Sequence, residues 1–478
     1  MLFNSIQFVI FLPIVVILYF ILPHKYRVFF LLAASYYFYM CWKPEYIFLI
    51  MGSTIIDYFA GIQIEKSQTR KRKKRFLILS IITNIGILFS FKYFNFINDS
   101  LREVFDQLNI FYGVPAFRVL LPVGISFYTF QSLSYSIDLY RGVKKKAERN
   151  LGLFALYVSF FPQLVAGPIE RSTRLIPQLH EKKTLSYENL VEGMKLILWG
   201  MFKKLVIADR LAIYVNAVFN NQAEHNGSTL IVATLFFTFQ VYCDFSAYSD
   251  IAIGSARMMG YDLMINFRRP FFSRSFSEFW KRWHISLITW FKDYVYIPLG
   301  GNRVSKWRWY LNIILVWAIS GLWHGAGWNF VLWGTISGLF LILAVWLKPV
   351  RVKFWEITKW NQEAKLHRAI QIMLTFFLFY FVQFFFRANS TNDALQIIQK
   401  VFSDFGPVFV GVPTTFIFSW FGIILLIIIE FCQEYYSENI RLINNNKIVI
   451  RYLTYATIIV IILMIGVFDG SQFIYFQF

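Results

Sequence analysis

The chain has 478 residues, of which 57% are hydrophobic and 15% are charged, and its formal net charge is +20. Because soluble globular proteins carry about 25% charged residues, this composition excludes an ordinary soluble enzyme and a disordered chain. The basic residues stand in short clusters between apolar runs, as in the cytoplasmic loops of membrane proteins, which argues against nucleic-acid binding.

Apolar stretches of about 20 residues, long enough to cross a membrane, recur along the chain. They predict an all-α, polytopic integral membrane protein with about 11–13 transmembrane helices. The predicted spans are 5–22, 26–42, 46–64, 76–97, 117–140, 151–169, 228–250, 308–324, 328–347, 369–387, 416–433 and 448–468. Since the sequence has no internal repeat and no low-complexity linker, we expect a single transmembrane domain over residues 1–478.

The charge of the loops predicts how the spans are oriented. The loop Lys66–Arg75 contains seven basic residues and no acidic residue, and the loop Arg141–Arg149 is also strongly basic. Counting the spans places both loops on one side of the membrane, which the positive-inside rule makes the cytoplasmic side. A further apolar stretch, 191–208, is interrupted by lysines, so we expect it to lie at the membrane interface.

The stretch 262–305 is too polar to cross the membrane simply and too aromatic to be an ordinary loop. It contains Pro270, Pro298 and the pair Gly300 and Gly301, which disfavour a continuous helix. Non-helical backbone at membrane depth occurs only where it is buried in protein or lines a cavity. We therefore expect a re-entrant or interfacial segment here.

Two of the six histidines are candidates for chemistry, and the others lie in polar loops or at the ends of segments. His324 ends an apolar span, and His284 lies within the polar, aromatic stretch. An ionisable group in a membrane environment is costly, and is therefore a functional candidate by default. Nine of the 15 tryptophans fall within residues 280–333, which is consistent with one aromatic-walled cavity around both histidines. The alternative is that each is a buried, hydrogen-bonded structural histidine.

Basic residues cluster around His284. Between residues 257 and 308 there are ten Lys or Arg and three acidic residues, of which Glu278 stands four positions before Arg282 and can pair with it on a helix. Contact with lipid head groups is one interpretation. The other is a seat for a phosphate-bearing donor, to which Arg is well suited. The candidate donor-binding residues are Arg268, Arg269, Arg274, Lys281 and Arg282.

A single histidine close to a hydroxyl can act as a general base and let an alcohol attack a thioester carbonyl, without a metal or a protein nucleophile. The sequence contains no G-x-S-x-G, P-loop, H-E-x-x-H or dinucleotide-binding motif. The two histidines are 40 residues apart and have no third ligand nearby, so we expect no metal site. The three cysteines form no pattern that indicates a disulfide or a zinc site.

Seven motifs occur in order along the chain: Leu121–Phe130, Phe161–Pro168, Phe202–Asp209, Tyr242–Asp250, Ser275–Leu287, Asp293–Arg303 and Gly321–Ala326. Together they resemble the membrane-bound O-acyltransferase (MBOAT) superfamily, and most closely its bacterial branch of alginate and peptidoglycan O-acetyltransferases. The resemblance implies a ring of tilted helices around a central pore, where a cytoplasmic acyl donor and an external acceptor meet.

The resemblance also implies roles for residues. His324 matches the catalytic base of the family and His284 its second histidine. We expect Trp283, Trp323, Asn329, Asp244 and Ser246 to line the pocket. Gly327 and Asn329 stand where Ser or Ala and then Thr are expected, which leaves the histidine untouched and affects only the shape of the pocket.

The function implied is transfer of an acetyl group from a cytoplasmic thioester, acetyl-CoA or an acyl carrier protein, to an extracellular or periplasmic polysaccharide. No cofactor is bound covalently. A secreted or anchored SGNH-type acetyltransferase is the expected partner, and the bacterial inner membrane the expected location. Two alternatives remain open at this point: D-alanyl transfer to teichoic acid, and a transporter or channel without covalent chemistry.

Overall fold

The computed structural model describes residues 1–117, 120–359, 361–436, 447–468 and 473–474. Within these residues the chain is helical and contains no strand, which confirms the predicted all-α class. Residues 118 and 119 of the predicted span 117–140 lie outside the described residues.

The helices follow one another along the chain, with longer connections before α6 and α13. Those in the described residues are α1 (Ile6–Ile21), α2 (His24–Met40), α3 (Ile47–Lys66), α4 (Arg70–Leu88), α5 (Phe94–Gln107), α6 (Ile125–Arg141), α7 (Leu151–Ser159), α8 (Phe161–Leu164), α9 (Ser172–His180), α10 (Tyr187–Met201), α11 (Asp209–Phe219), α12 (Gly227–Met258), α13 (Phe276–Arg282), α14 (Ile285–Phe291), α15 (Lys306–His324), α16 (Trp328–Trp346), α17 (Lys348–Thr358), α18 (Lys365–Arg387), α19 (Thr391–Ser403), α20 (Pro413–Tyr435) and α21 (Ile448–Ile465). π-Helical turns at Phe89–Tyr93 and Phe202–Ala208 join α4 to α5 and α10 to α11, and a third at Lys292–Tyr296 extends α14.

Seven helices in the described residues are long and apolar enough to cross a membrane. They are Pro44–Lys66, Arg70–Gln107, Gly227–Met258, Trp328–Trp346, Lys365–Arg387, Pro413–Tyr435 and Ile448–Ile465, and α1 is apolar but shorter. The protein is thus a multi-pass membrane protein, as the sequence predicted.

The other predicted spans are helical too, but they are shorter, interrupted or less apolar than the sequence pattern indicated. The helix in 117–140 begins only at Ile125, because Gly124 takes the left-handed conformation with φ 75°. The predicted span 151–169 breaks after Ser159, where Pro162 provides no backbone N–H. An apolar run shows where a helix is favourable, but not where the backbone turns.

The chain divides into two compact units. One comprises Met1–Leu196 and Ile251–Met264, and the other comprises Ile197–Asp250 and Ile265–Phe478. Both candidate histidines belong to the second unit, which therefore contains the site. The single domain expected over residues 1–478 stays a prediction.

Within the second unit, α15 and α16 form a tight antiparallel pair because glycines remove the side chains between them. A Cβ atom on Gly321 would lie 2.1 Å from the carbonyl oxygen of Phe330, and one on Gly334 would lie 2.1 Å from that of Trp317. The two backbones are therefore in direct contact, as in other membrane helix pairs with small residues at the interface. This contact fixes the end of α15, where His324 lies.

The stretch 265–305 of the second unit contains no helix long enough to cross a membrane. The longest helical run is α14 with its π-helical turn, Ile285–Tyr296, which spans about 18 Å, less than the roughly 30 Å of a bilayer core. The Ser275 hydroxyl accepts a hydrogen bond from the Glu278 N–H at 3.2 Å and so caps α13. A re-entrant or interfacial position for 262–305 stays a prediction.

Replacing Gly334 with Ala tests the helix contact. The added methyl group has no space, so we expect a loss of about 1–3 kcal/mol in the free energy of unfolding and a lower melting temperature of the purified protein. Gly86→Ala is the control, since its Cβ would meet nothing within 4 Å and removing a helix glycine stabilises by about 0.5–1 kcal/mol. Equal melting temperatures for the two variants would contradict the proposed contact.

Candidate active site

His324 is the last residue of α15, and an aromatic cage surrounds its side chain. Its ring lies 5.0 Å from that of Trp333 and 5.5 Å from that of Phe386, measured between centroids, and only 4% of the residue is exposed. Gly325, the next residue, leaves room for the side chain of Phe330, because a Cβ atom on Gly325 would lie 2.2 Å from the ring of Phe330. Gly321 and Gly325 thus serve packing between helices.

His284 occupies the position before α14 and has a left-handed backbone with φ 43°. Such a conformation in a residue other than glycine costs about 1–3 kcal/mol and persists only where the surroundings enforce it. Here the Ile285 N–H donates to the Asn266 carbonyl at 2.9 Å and the Ser286 N–H donates to Asn266 Oδ1 at 3.2 Å. The backbone is therefore locked by a single buried asparagine.

Asn266 also determines which nitrogen of His284 carries the proton. Asn266 Oδ1 lies 3.1 Å from His284 Nδ1, and the same oxygen accepts from the backbone N–H and the hydroxyl of Ser286. The amide nitrogen of Asn266 donates to Ser249 at 3.1 Å, so the orientation of the amide is fixed. Because Oδ1 can only accept, Nδ1 of His284 is the donor and Nε2 carries the lone pair.

Burial keeps His284 neutral. The side chain is enclosed by protein, and desolvation lowers its pKa to about 3. At neutral pH the imidazole is therefore uncharged, and its Nε2 can accept a hydrogen bond from a hydroxyl. No motif in the sequence pointed to Asn266, which is a single amide in the run Leu263–Phe267.

The ring of Trp323 contacts both histidines. Its ring lies 4.9 Å from that of His324, its neighbour in the chain, and 5.9 Å from that of His284, which is 39 positions away in the sequence. Phe245 covers the other side of His284 with a ring distance of 4.5 Å. The structure thus brings the two predicted histidines into one aromatic environment that includes Trp323. Contact of Trp323 with a substrate stays a prediction.

Two other residues predicted to line the pocket have evident packing roles. Trp283 is buried against Phe267 and Phe379, with ring distances of 5.2 and 4.9 Å. Asn329 donates its amide to the carbonyl oxygen of Ala388 at 2.8 Å, and so connects the start of α16 to the end of α18. Their contact with a substrate stays a prediction.

Asp244 and Ser246 belong to a buried ionic cluster that the sequence did not predict. Lys204 bridges Asp244 and Asp209 at 2.8 and 2.7 Å. Lys203 pairs with Asp250 at 2.8 Å and donates to the Ser246 hydroxyl at 2.7 Å.

This cluster provides partners for two lysines of stretch 191–208, whose interfacial position stays a prediction. Its two lysines are 3% and 1% exposed, so their charges meet carboxylates inside the protein. Burial lowers the pKa of Lys204, but Asp244 and Asp209 outweigh burial and raise it overall. Lysines in an apolar run can therefore indicate internal ion pairs.

The predicted basic cluster divides into paired and exposed side chains. Glu434 accepts from Arg269 at 2.7 Å and from Arg282 at 2.8 Å. Arg282 also pairs with Glu278 at 2.6 Å, which confirms the predicted helical pair. Arg268, Arg274 and Lys281 are exposed. The pair of Arg282 and Glu434 holds α13 against α20. Donor binding by the five basic residues stays a prediction.

In the part of the chain that the structure describes, no three His, Cys, Asp or Glu side chains are grouped so that they could hold a metal ion. The arrangement instead provides two neighbouring imidazoles in an apolar, aromatic environment. Such groups can accept and pass on a proton.

Comparison with known proteins identifies the class of enzyme. Residues 149–383, which include both histidines, match the model of the membrane-bound O-acyltransferase family. A probable alginate O-acetylase of Pseudomonas aeruginosa is 39% identical over 408 residues, which cover 84% of this chain and 75% of that protein. A peptidoglycan O-acetyltransferase of Helicobacter pylori is 33% identical over 430 residues, covering 84% of this chain and 79% of the other.

A teichoic acid D-alanyltransferase of Streptococcus thermophilus is 31% identical over 276 residues, covering 53% of this chain and 65% of the other. The chain belongs to the membrane-bound O-acyltransferase family. It is an O-acyltransferase, which confirms the enzyme class predicted from the motifs.

Replacing Asn266 with Ala tests whether it positions His284. The variant loses the acceptor that fixes the imidazole, and we expect turnover to fall at least about tenfold, since a misplaced catalytic group can cost about 10²-fold. Asn312→Ala is the control, because Asn312 is also buried and bonds the carbonyls of Leu299 and Gly301. Activity per folded molecule should fall only in the first variant, and an equal fall in both would indicate a merely structural role.

The neutral state of His284 predicts a pH dependence of stability. The unfolded chain takes up a proton at this residue below pH of about 6.5, whereas the folded protein does so only near its lowered pKa of about 3. The contribution of neutral His284 to the free energy of unfolding is fully present above pH 6.5. It is lost as the pH falls, by up to about 1.4 kcal/mol per pH unit. Between pH 7 and 5 the melting temperature of His284→Asn should fall less than that of the wild type, and parallel curves would contradict the assignment.

Proposed function

We propose that the protein transfers an acetyl group from a cytoplasmic thioester, acetyl-CoA or an acyl carrier protein, for O-acetylation of an extracellular or periplasmic polysaccharide. The observation that carries this proposal is the pair of buried histidines joined by Trp323 within the segment that matches the family. The relatives named for acetyl transfer align over 84% of the chain, and the one named for D-alanyl transfer over 53%. The greater coverage favours an acetyl group.

His324 is the general base in this proposal. Its imidazole takes the proton of the acceptor hydroxyl while the hydroxyl oxygen attacks the thioester carbonyl carbon. The tetrahedral intermediate then expels the thiolate as the carbon–sulfur bond breaks, and the imidazolium returns the proton to the sulfur. The apolar cage around His324 excludes water, which would otherwise hydrolyse the donor.

His284 orients the acceptor hydroxyl. Because Nδ1 donates to Asn266 and Nε2 carries the lone pair, the ring can accept a hydrogen bond but has no second N–H for a developing oxyanion. A more suitable donor is the indole of Trp333, whose ring lies 5.0 Å from that of His324. Its N–H is buried and has no acceptor among the described residues.

The donor phosphates are proposed to meet the exposed arginines of the basic cluster. Arg268 and Arg274 remain exposed, whereas Arg269 and Arg282 share Glu434. Arginine suits phosphate because its planar guanidinium binds two oxygens at once. The membrane of the proposed location is the bacterial inner membrane, and the proposed partner is a secreted or anchored SGNH-type acetyltransferase that delivers the group to the polysaccharide.

His324→Ala is the decisive test of the general base. Loss of a positioned base costs about 10²–10⁴-fold in rate, so acetyl-CoA consumption by the purified variant should fall by that order. His225→Ala is the matched control, a histidine of the same unit outside the site, and it should keep its activity. Melting curves of both variants separate catalysis from folding. Wild-type consumption of acetyl-CoA by a well-folded His324→Ala variant would overturn the general base, whereas a wild-type protein that consumes no acetyl-CoA would favour transport without covalent chemistry.

A further inference from the structure

A second cavity lies in the same unit, outside the histidine site. It is a half-open cleft of about 950 Å³ between the segment Ser275–Tyr296 and the outer face of α15 and α16. Its walls are largely apolar and include Ile313, Val316 and Leu341. One of its helices, α16, is long and apolar enough to cross a membrane, so an open apolar cleft of this size on its surface needs a hydrophobic occupant.

Four cations border this cleft. They are Lys281, Lys292, Lys348 and Arg351, and no acidic residue lines the cleft among the described residues. Lys348 and Arg351 lie in the first turn of α17, two and five positions after the last residue of α16, so they mark the end of the helix pair. Val316 and Leu341 lie further along the helices. The cleft therefore combines a positive end with an apolar body.

We propose that this cleft binds one anionic phospholipid of the surrounding membrane. The phosphate meets the basic side chains, as in other basic pockets between transmembrane helices, and the acyl chains lie along the apolar wall. The hydroxyls of Ser275 and Ser277 also line the cleft and can bond the oxygens of the head group. An anionic head group adds only negative charge to this end of the cleft, whereas the choline of a zwitterionic lipid would bring a further positive charge.

The cleft shares a wall with the histidine site. Trp280 and Trp317 line it and lie in contact, with their ring centroids 4.4 Å apart. Trp280 also contacts Trp333 at 5.8 Å, and Trp333 contacts His324 at 5.0 Å. A lipid packed on Trp280 and Trp317 therefore supports the side chains that hold His324. Occupancy should stabilise the protein and increase its turnover.

The test measures lipid binding directly and does not depend on acetyl transfer. Full-length protein in detergent is titrated with phosphatidylglycerol or phosphatidylcholine, and bound lipid is counted by native mass spectrometry. The wild type should retain one phosphatidylglycerol in preference to phosphatidylcholine. The double variant Lys348→Gln/Arg351→Gln should bind phosphatidylglycerol about 30-fold more weakly, since each basic side chain near a membrane surface contributes about fivefold.

The matched control is Lys353→Gln/Lys365→Gln, which removes two exposed charges from α17 and α18 that do not line the cleft. It should bind phosphatidylglycerol like the wild type. Equal losses in both variants would mean general surface charge and overturn the proposal. A raised KM for acetyl-CoA with unchanged lipid binding would also overturn it, because the cleft would then seat the donor.

Discussion

The direct contact between the backbones of α15 and α16 is the constraint on which the site depends. Gly321 and Gly334 leave no room for a side chain at the crossing, so the two helices have one relative position. That position places His324 at the end of α15 against Trp333 of α16. The same two helices form one wall of the cleft proposed to bind a phospholipid. A small change in the crossing would therefore act on the proposed catalytic base and on the cleft together.

The second constraint is that buried polar groups need partners. In the turn that carries His284, Asn266 provides these partners. Its Oδ1 accepts hydrogen bonds from the imidazole of His284 and from the backbone N–H and the hydroxyl of Ser286. The same bonds enforce a left-handed backbone at His284 and select its tautomer. Folding and chemistry are thus linked here, because the bonds that stabilise the turn also leave Nε2 as the acceptor.

The predictions about charge show what a sequence pattern misses. Arg269 and Arg282 were grouped with their neighbours as phosphate ligands, yet both pair with Glu434, about 150 positions later in the chain. Lys203 and Lys204 interrupt an apolar run in the sequence, and each is buried and pairs with a carboxylate. Local counting of charges cannot find these partners, since they approach only when distant helices pack.

The sequence by itself determined the helical class, the membrane location, the family and the two histidines. These follow from apolar runs of membrane length and from motifs that are local in the chain. Only the tertiary structure decided where apolar runs break, that Trp323 joins His284 to His324, and that Asn266 sets the proton of His284. The physical reason is the distance along the chain over which each effect acts. Hydropathy and helix formation depend on residues that are close in the sequence. A hydrogen-bond partner or an aromatic neighbour comes from residues that meet only after the helices have packed.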